Sequence, residues 1–525
     1  MKERAESMTQ SEPVKRNGAV LIQKKWVQAV VLAVIGVIFY LLLGQEWIVI
    51  EKDSAFYMDP TMENGGIMPL YPLFLFGIRC IFGEALYLDA AVVIQSLFAV
   101  ICTMIFVFYL QNIFHMRFAE TVLCYFFTML PFSIELPRVW ITHQIMTESI
   151  AYALIYIYFV FVLQYVFEKK RKWILSVTVT AVLMGLLRSQ LVFLLIVTAI
   201  LYVCVEFVKN KEDKENHKSR RGRCLAGAVI NLCIGIVCAC GLVVLIYQLR
   251  SCYVMYAVPA IGRIEQRTKD SPDDEQKETV EGGNEAVENG NTEDAAVQGA
   301  QTEQRQTMSQ MTQLIVIRGL YEADREDSSL FDTPEMQEIF IRVYSAIDAL
   351  QYRYEYARQD LYIWQDLVKD KIAGTAYAEI QAYLEEHPEV SLDPVLTVRE
   401  LGMKVLLRHF DRYLYHTMRL MVSGFISSVF FQIGRIYLLC HIVTLFLFAI
   451  DIAGVVYCIR YREDKKTAVF ALVTVCFIVL MVGIINLVFI GLQRYMVYAM
   501  GIFYCSLYLL LKEWGLPWIR KKLKF

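Results

Sequence analysis

Residues 468–492 read AVFALVTVCFIVLMVGIINLVFIGL, an apolar run without a single charge. A helix rises about 1.5 Å per residue, so roughly 20 such residues cross a hydrocarbon core about 30 Å thick. Comparable charge-free runs occupy Trp26–Gly44, Ser149–Phe167 and Leu225–Leu249. Hydrophobic residues make up 57% of the 525-residue chain and charged residues 20%, against roughly 45–50% and 25% in soluble domains. A water-soluble enzyme, a disordered regulator and a single-anchor protein are all excluded. The expected fold class is all-α, a polytopic helical membrane protein.

Working outward from that run, the apolar segments give about ten spans, within bounds of about nine to twelve. They fall near 26–47, 88–113, 118–133, 148–167, 173–187, 191–208, 224–248, 434–459, 467–491 and 495–511. Lysine and arginine cluster in 1–25, 168–172, 209–223, 460–466 and 512–525. All five clusters fall on one side of such a bundle, which the positive-inside bias makes the cytoplasm. Both termini are then expected inside a cell membrane. No signal peptide is expected, because Met1–Lys25 is polar and basic and no small-residue cleavage site follows the first run.

The organisation that follows has four parts. Residues 1–25 form a cytoplasmic tail, and 26–248 a transmembrane core whose first outer loop is 48–87. Residues 249–433 form an outer helical module, and 434–525 the C-terminal spans with a basic tail. Within the module, 264–310 is acidic and almost free of aromatic or branched apolar residues, so it is expected to be disordered. Thr333-Pro334-Glu335 reads as a helix start: cap, first-turn proline and an acid at the positive end of the dipole. Val395–Phe431 reads as a helix lying along the membrane surface.

Most of the 13 cysteines sit inside apolar runs, where they act as small hydrophobes. Their spacing suggests neither a disulfide framework nor a zinc site. The net charge of −2 says little, because the two signs are segregated. No P-loop, dinucleotide fingerprint or HExxH motif is present, so no cofactor is expected. Nothing points to nucleic acid as a partner; the bilayer is the expected surroundings.

Chemistry concentrates in the first outer loop. Asp53 lies just beyond the first span, where water meets lipid, with Tyr57 and Asp59 close behind. An acid there can meet a lipid-borne substrate and a polar acceptor together; the alternative is a solvated loop acid. Basic residues are rare on the outer side, so Arg79, Arg138, Arg188 and Arg494 stand out. Each either pairs with phosphate oxygens through its fork or snorkels to the headgroups. Glu148 is either a second acid orienting the acceptor or a first-turn acid beside Thr147 as its cap. His143 is either a substrate contact or a structural loop histidine. Asp451 lies deep in an apolar run, a functional suspect by depth, but away from the proposed outer chemistry. Tyr40, Tyr57, Tyr71, Tyr165 and Tyr495 flank the spans and read as an interfacial belt.

Four stretches carry a resemblance. They are Asp53-x-x-x-Tyr57 with the Gly65-Gly66 turn and Pro69–Gly83 (PLYPLFLFGIRCIFG), Ile141–Ser149 (ITHQIMTES), Gly185–Gln190 (GLLRSQ) and Gln493-Arg494-Tyr495. Together, and in this order, the chain resembles the GT-C membrane glycosyltransferases, in the branch of protein mannosyltransferases and aminoarabinose transferases. The resemblance implies transfer of a sugar from a polyprenyl-phosphate donor to a protein, lipid or glycan acceptor on the outer face, with inversion. It implies that Asp53 is the general base. Tyr57, Asp59, Arg138, His143, Glu148, Arg188 and Arg494 are then the substrate-binding candidates. Many such enzymes carry two adjacent acids in this loop, whereas this chain has Asp53-Ser54; a loop-bound metal is therefore not expected. Two other classes stay open, a polyprenyl-linked glycan polymerase or ligase, and a lipid-glycan flippase. Proline-broken paired helices would favour a carrier, but only Pro131 of the 12 prolines falls in an expected span.

Overall fold

The computed structural model describes residues 24–44, 46–51, 53–58, 68, 70–133, 140–212, 241, 244, 248, 316, 318–350, 361–430, 437–488 and 493–515. In chain order the helices are α1 (Lys25–Val37, continued by a π-helical turn at Ile38–Leu42), α2 (Ser54–Met58), α3 (Leu70–Phe82), α4 (Tyr87–Phe114) and α5 (Phe118–Met129). Next come α6 (Thr147–Glu168), α7 (Arg171–Leu187) and α8 (Phe193–Glu212). Then follow α9 (Pro334–Ala349), α10 (Leu361–Glu386), α11 (Pro394–Arg408) and α12 (Phe410–Val429). The last are α13 (Tyr437–Tyr461), α14 (Lys466–Val488), α15 (Gln493–Met496) and α16 (Met500–Leu510). Among the described residues the sole pairing outside helices is an isolated parallel bridge between Val49 and Gln144.

Seven helices among the described residues are long and apolar enough to cross a membrane: Lys25–Leu42, Tyr87–Phe114, Thr147–Glu168, Ser189–Lys209, Leu438–Tyr461, Lys466–Leu487 and Arg494–Gly515. Of the other expected spans, 118–133 is a shorter apolar helix, Phe118–Ser133. The segment 173–187 lies in the short α7, and 224–248 lies almost wholly outside the described residues. The acidic stretch 264–310 also lies outside them.

Burial shows why these helices suit a bilayer. The first span buries one stripe, Gln28, Leu32, Gly36 and Tyr40, and exposes Trp26, Val30, Val34 and Ile38. A stripe at i, i+4, i+8 packs against protein, while the other face is as apolar and needs a hydrocarbon solvent. By contrast, α6 is buried almost all round and packs along α4 and α7, the centre of the bundle. The last span closes against α5 because Gly501 has no side chain. A Cβ there would stand 2.6 Å from the Phe127 carbonyl oxygen and 2.9 Å from Thr128 Cα.

The two ends of the bundle differ. At one end Lys25 Nζ donates to Asn112 Oδ1 at 2.9 Å and Lys512 pairs with Glu120 at 2.7 Å. Arg462 and Thr467 meet Glu513 at the same end. Chain reversals there use His115 and Lys169 in the left-handed conformation (φ 49° and 54°), each amide bonding back to a carbonyl four residues earlier. The opposite end carries α2, α3 and a helical module with its own core of Val316, Leu320, Phe340, Ile372, Leu401 and Val405. Arg318 Nη2 donates to the Asn486 carbonyl at 3.2 Å and the Tyr413 hydroxyl to the Leu487 carbonyl at 2.7 Å, docking the module on the end of α14.

Within the module, Thr333 caps α9: its hydroxyl accepts from the Met336 amide at 3.3 Å, with Pro334 in the first turn. The stretch read as one surface helix over 395–431 is instead two, α11 and α12, broken at His409 (φ −106°, ψ 37°). The first belongs to the module core, whereas the second packs against α14 and α16. The tyrosine belt also needs correction. Tyr40, Tyr71 and Tyr165 are fully buried inside the protein. All three find partners there: the Tyr40 hydroxyl donates to the Thr128 carbonyl at 3.5 Å, the Tyr71 hydroxyl donates to Gln95 Oε1 at 3.2 Å, and the Tyr165 ring stacks on Tyr202.

Candidate functional site

At the module end of the bundle, two acids and two arginines from four distant stretches meet. Asp53 is fixed at the start of α2, where the Ser54 hydroxyl accepts from the Glu51 amide at 2.8 Å. Glu148 is the second residue of α6. Arg188 occupies the extended corner (φ −152°, ψ 125°) between α7 and the turn into α8. Arg494 lies in α15, and the hydroxyl of Tyr152 bonds its carbonyl at 2.5 Å.

Glu148, 1% exposed, sits between the arginines. It forms a close ion pair with Arg188 Nη1 and a second with Arg494 Nε at 3.4 Å. Arg494 Nη2 in turn donates to Asp53 Oδ2 at 2.9 Å. The Tyr495 ring lies beneath both guanidinium groups, 4.3 Å from Arg188 Cζ and 5.4 Å from Arg494 Cζ; such contacts favour cations out of water. The rim differs from the floor: Arg188 is 8% exposed, while the side chains of Arg494 and Asp53 are 23% and 35% exposed. The cluster is formally neutral, with its solvent-facing side formed by the Asp53–Arg494 pair.

Arg188 is further held by Gln190 Oε1, which accepts from its Nε at 2.7 Å, and by Thr147 Oγ1 at 3.3 Å. Thr147 does not cap α6, as its sequence position suggested. Met146 takes the cap position, and the Thr147 hydroxyl donates to Glu148 Oε2 at 3.0 Å. Tyr57 stands beside the cluster, its ring 5.3 Å from that of Tyr71. Burial pushes its phenol up to about 12, with the Arg188 charge pulling the other way. Tyr57 therefore keeps its proton at neutral pH and can donate a hydrogen bond.

The other candidates separate from this group. The His143 ring is fully buried, with Nδ1 2.8 Å from the Glu46 carbonyl and the ring edge-on to Trp47, so it ties the first loop to the α6 entry. Gln95 reinforces that junction by donating to the carbonyls of Thr142 and Gln144 at 2.6 and 3.0 Å. Arg79 pairs with Glu84 and lies over Tyr87. Asp451 is buried at 1% exposure in α13. Asp59 and Arg138 lie outside the described residues. Among the described residues no three histidines, cysteines or acids stand together as a metal site. Sequence reasoning missed Tyr495 as the arginine platform, along with Thr147, Gln190 and Gln95. Tyr495 lay beside Arg494, and Thr147 and Gln190 lay inside ITHQIMTES and GLLRSQ, whereas Gln95, within an apolar run, carried no signal.

No family model matches the chain, and neither a curated protein nor a solved structure does.

Proposed function

We propose that the chain is an integral membrane glycosyltransferase of GT-C type, with about ten spans and both termini in the cytoplasm. It moves a sugar from a polyprenyl-phosphate donor to a protein, lipid or glycan acceptor on the outer face of a cell membrane. The observation that carries the reading is the meeting of Asp53 with Glu148, Arg188 and Arg494 at one end of an apolar bundle. Each of the four belongs to a stretch that resembles this family.

In the reaction, Asp53 accepts the proton of the acceptor hydroxyl as its oxygen bonds to the anomeric carbon. The bond from that carbon to the phosphate oxygen breaks on the opposite face, inverting the centre, and lipid phosphate leaves. The guanidinium fork offsets the charge that grows on the departing phosphate. A positioned base contributes roughly 10²–10⁴-fold, and Asp53→Asn is expected to lose about that much. The test is release of free polyprenyl phosphate, followed by mass spectrometry, from a panel of polyprenyl-monophosphate sugars with a cell-envelope extract as acceptor. Release by wild type with loss in folded Asp53→Asn supports the reading. No release from any donor sinks it, and undiminished release by the variant removes Asp53 as base.

A further inference from the structure

The two arginines that flank Glu148 are not equivalent, and only one of them can be given up. Arg188 is fixed on every side: by Glu148, by Gln190 and Thr147, and by the face of Tyr495. Removing it from Glu148 would leave an almost fully buried carboxylate with one cation, Arg494 at 3.4 Å, and the Thr147 hydroxyl, a costly arrangement out of water. Arg494 has one short partner, Asp53, and that pair faces solvent. Water screens such a pair and makes it weak. The phosphate of a polyprenyl-phosphate sugar is a diester with one charge spread over two non-bridging oxygens, which can take two N–H groups of a guanidinium fork where Asp53 takes one.

Asp53 Oδ2 is meanwhile engaged by the Arg494 N–H, so an acceptor hydroxyl reaches that oxygen of the carboxylate only once the guanidinium has moved off it. We infer that the phosphodiester of a lipid-borne donor takes Arg494 away from Asp53, so that seating the donor frees the Oδ2 oxygen of the base, while Arg188 and Glu148 stay paired as a fixed frame. This rests on the glycosyl-transfer reading above and adds to it a division of labour. Arg494 is the exchanging phosphate contact, Arg188 is a positioning residue, and donor binding precedes productive acceptor binding.

The test is a double-mutant cycle on ligand affinity with the full-length chain in detergent and farnesyl methyl phosphate, a lipid phosphodiester, as the probe. Asp53→Asn, near-isosteric, is expected to bind the probe about tenfold more tightly, about 1.4 kcal/mol, because no ion pair has to be broken. In an Arg494→Gln background the same change is expected to bring no gain. Simple repulsion between Asp53 and the phosphate would give the same gain in both backgrounds, and that result overturns the exchange. If Arg494→Gln fails to fold, Arg494→Met, also uncharged, replaces it, and an undiminished gain there overturns the exchange equally. Inorganic phosphate at the same concentrations is expected to show no gain; an equal one would make the ligand a soluble phosphate and overturn the lipid-borne assignment. Flat affinities across the cycle with turnover lost in Asp53→Asn would sink the exchange and leave the base. The expected affinities with turnover intact would do the reverse.

Discussion

Glu148 joins the two arginines at the bottom of the cluster, and the charges around it are unequally replaceable. Breaking a buried pair by removing one partner costs about 3–5 kcal/mol, because the other charge stays out of water. Arg188→Gln is therefore expected to lower stability by about that amount. Arg494→Gln, at the rim with a side chain 23% exposed, is expected to cost less, about 1 kcal/mol. Thermal unfolding in detergent should rank the two variants in that order, and equal losses would show that Arg188 is not the fixed member. All four charged residues were legible one at a time, since an arginine on the outer side or an acid at a span boundary departs from the compositional bias. Their pairing was not, because Asp53 and Arg494 lie 441 residues apart and no periodic pattern links them. Tyr495 was misread because an aromatic residue at a span end has the same sequence signature whether it faces headgroups or a guanidinium.

The spanning helices were readable because a charge-free run of sufficient length has few other folded forms in lipid, and α9 because Thr333-Pro334 is a local cap signal. The break at His409 was not readable. Neither glycine nor proline marks it, and the split arises because α11 packs in the module while α12 packs on α14 and α16. Helix contact within the module depends on Gly319, where a Cβ would stand 2.0 Å from the Gly402 carbonyl oxygen. That neighbour is backbone and cannot rotate away. Gly319→Ala is expected to push the segment off α11 at a cost of about 1–3 kcal/mol, seen as faster proteolysis within 316–408 and an unchanged transmembrane core. Unchanged proteolysis would mean that the two backbones separate freely.

At the scale of the whole molecule, the module meets the bundle through α12 and the segment carrying Arg318. His416 sits at that contact, its ring 5.2 Å from that of Tyr321. Burial, reinforced by the charges of Arg318 and Arg419, pushes its imidazole down to about 3. A histidine held neutral in the fold but titrating near 6.5 when exposed binds more protons in the unfolded state. Its stabilising effect is complete above about pH 6.5 and fades as pH falls toward about 3. The docked state is thus expected to melt earlier at about pH 5 than at about pH 7, and His416→Gln to shrink that difference. An identical pH dependence in the variant would assign the effect to other groups. That the chain is helical with membrane-crossing helices followed from composition, but which of them the segment with the separate core would touch did not. The contacts of Arg318 and Tyr413 are to backbone carbonyls, which every residue type offers.

The 441-residue separation of Asp53 and Arg494 also has a consequence for biosynthesis. A ribosome delivers the first loop early and the last span late, so a nascent chain holds its acid long before the arginine that answers it. Under the proposed activity, a copy broken off ahead of Gln493 has a base but no exchanging grip on lipid phosphate. Surrounded by lipid-linked sugars while still being made, the unfinished protein stays inert, and competence arrives only when its final helix is threaded into place.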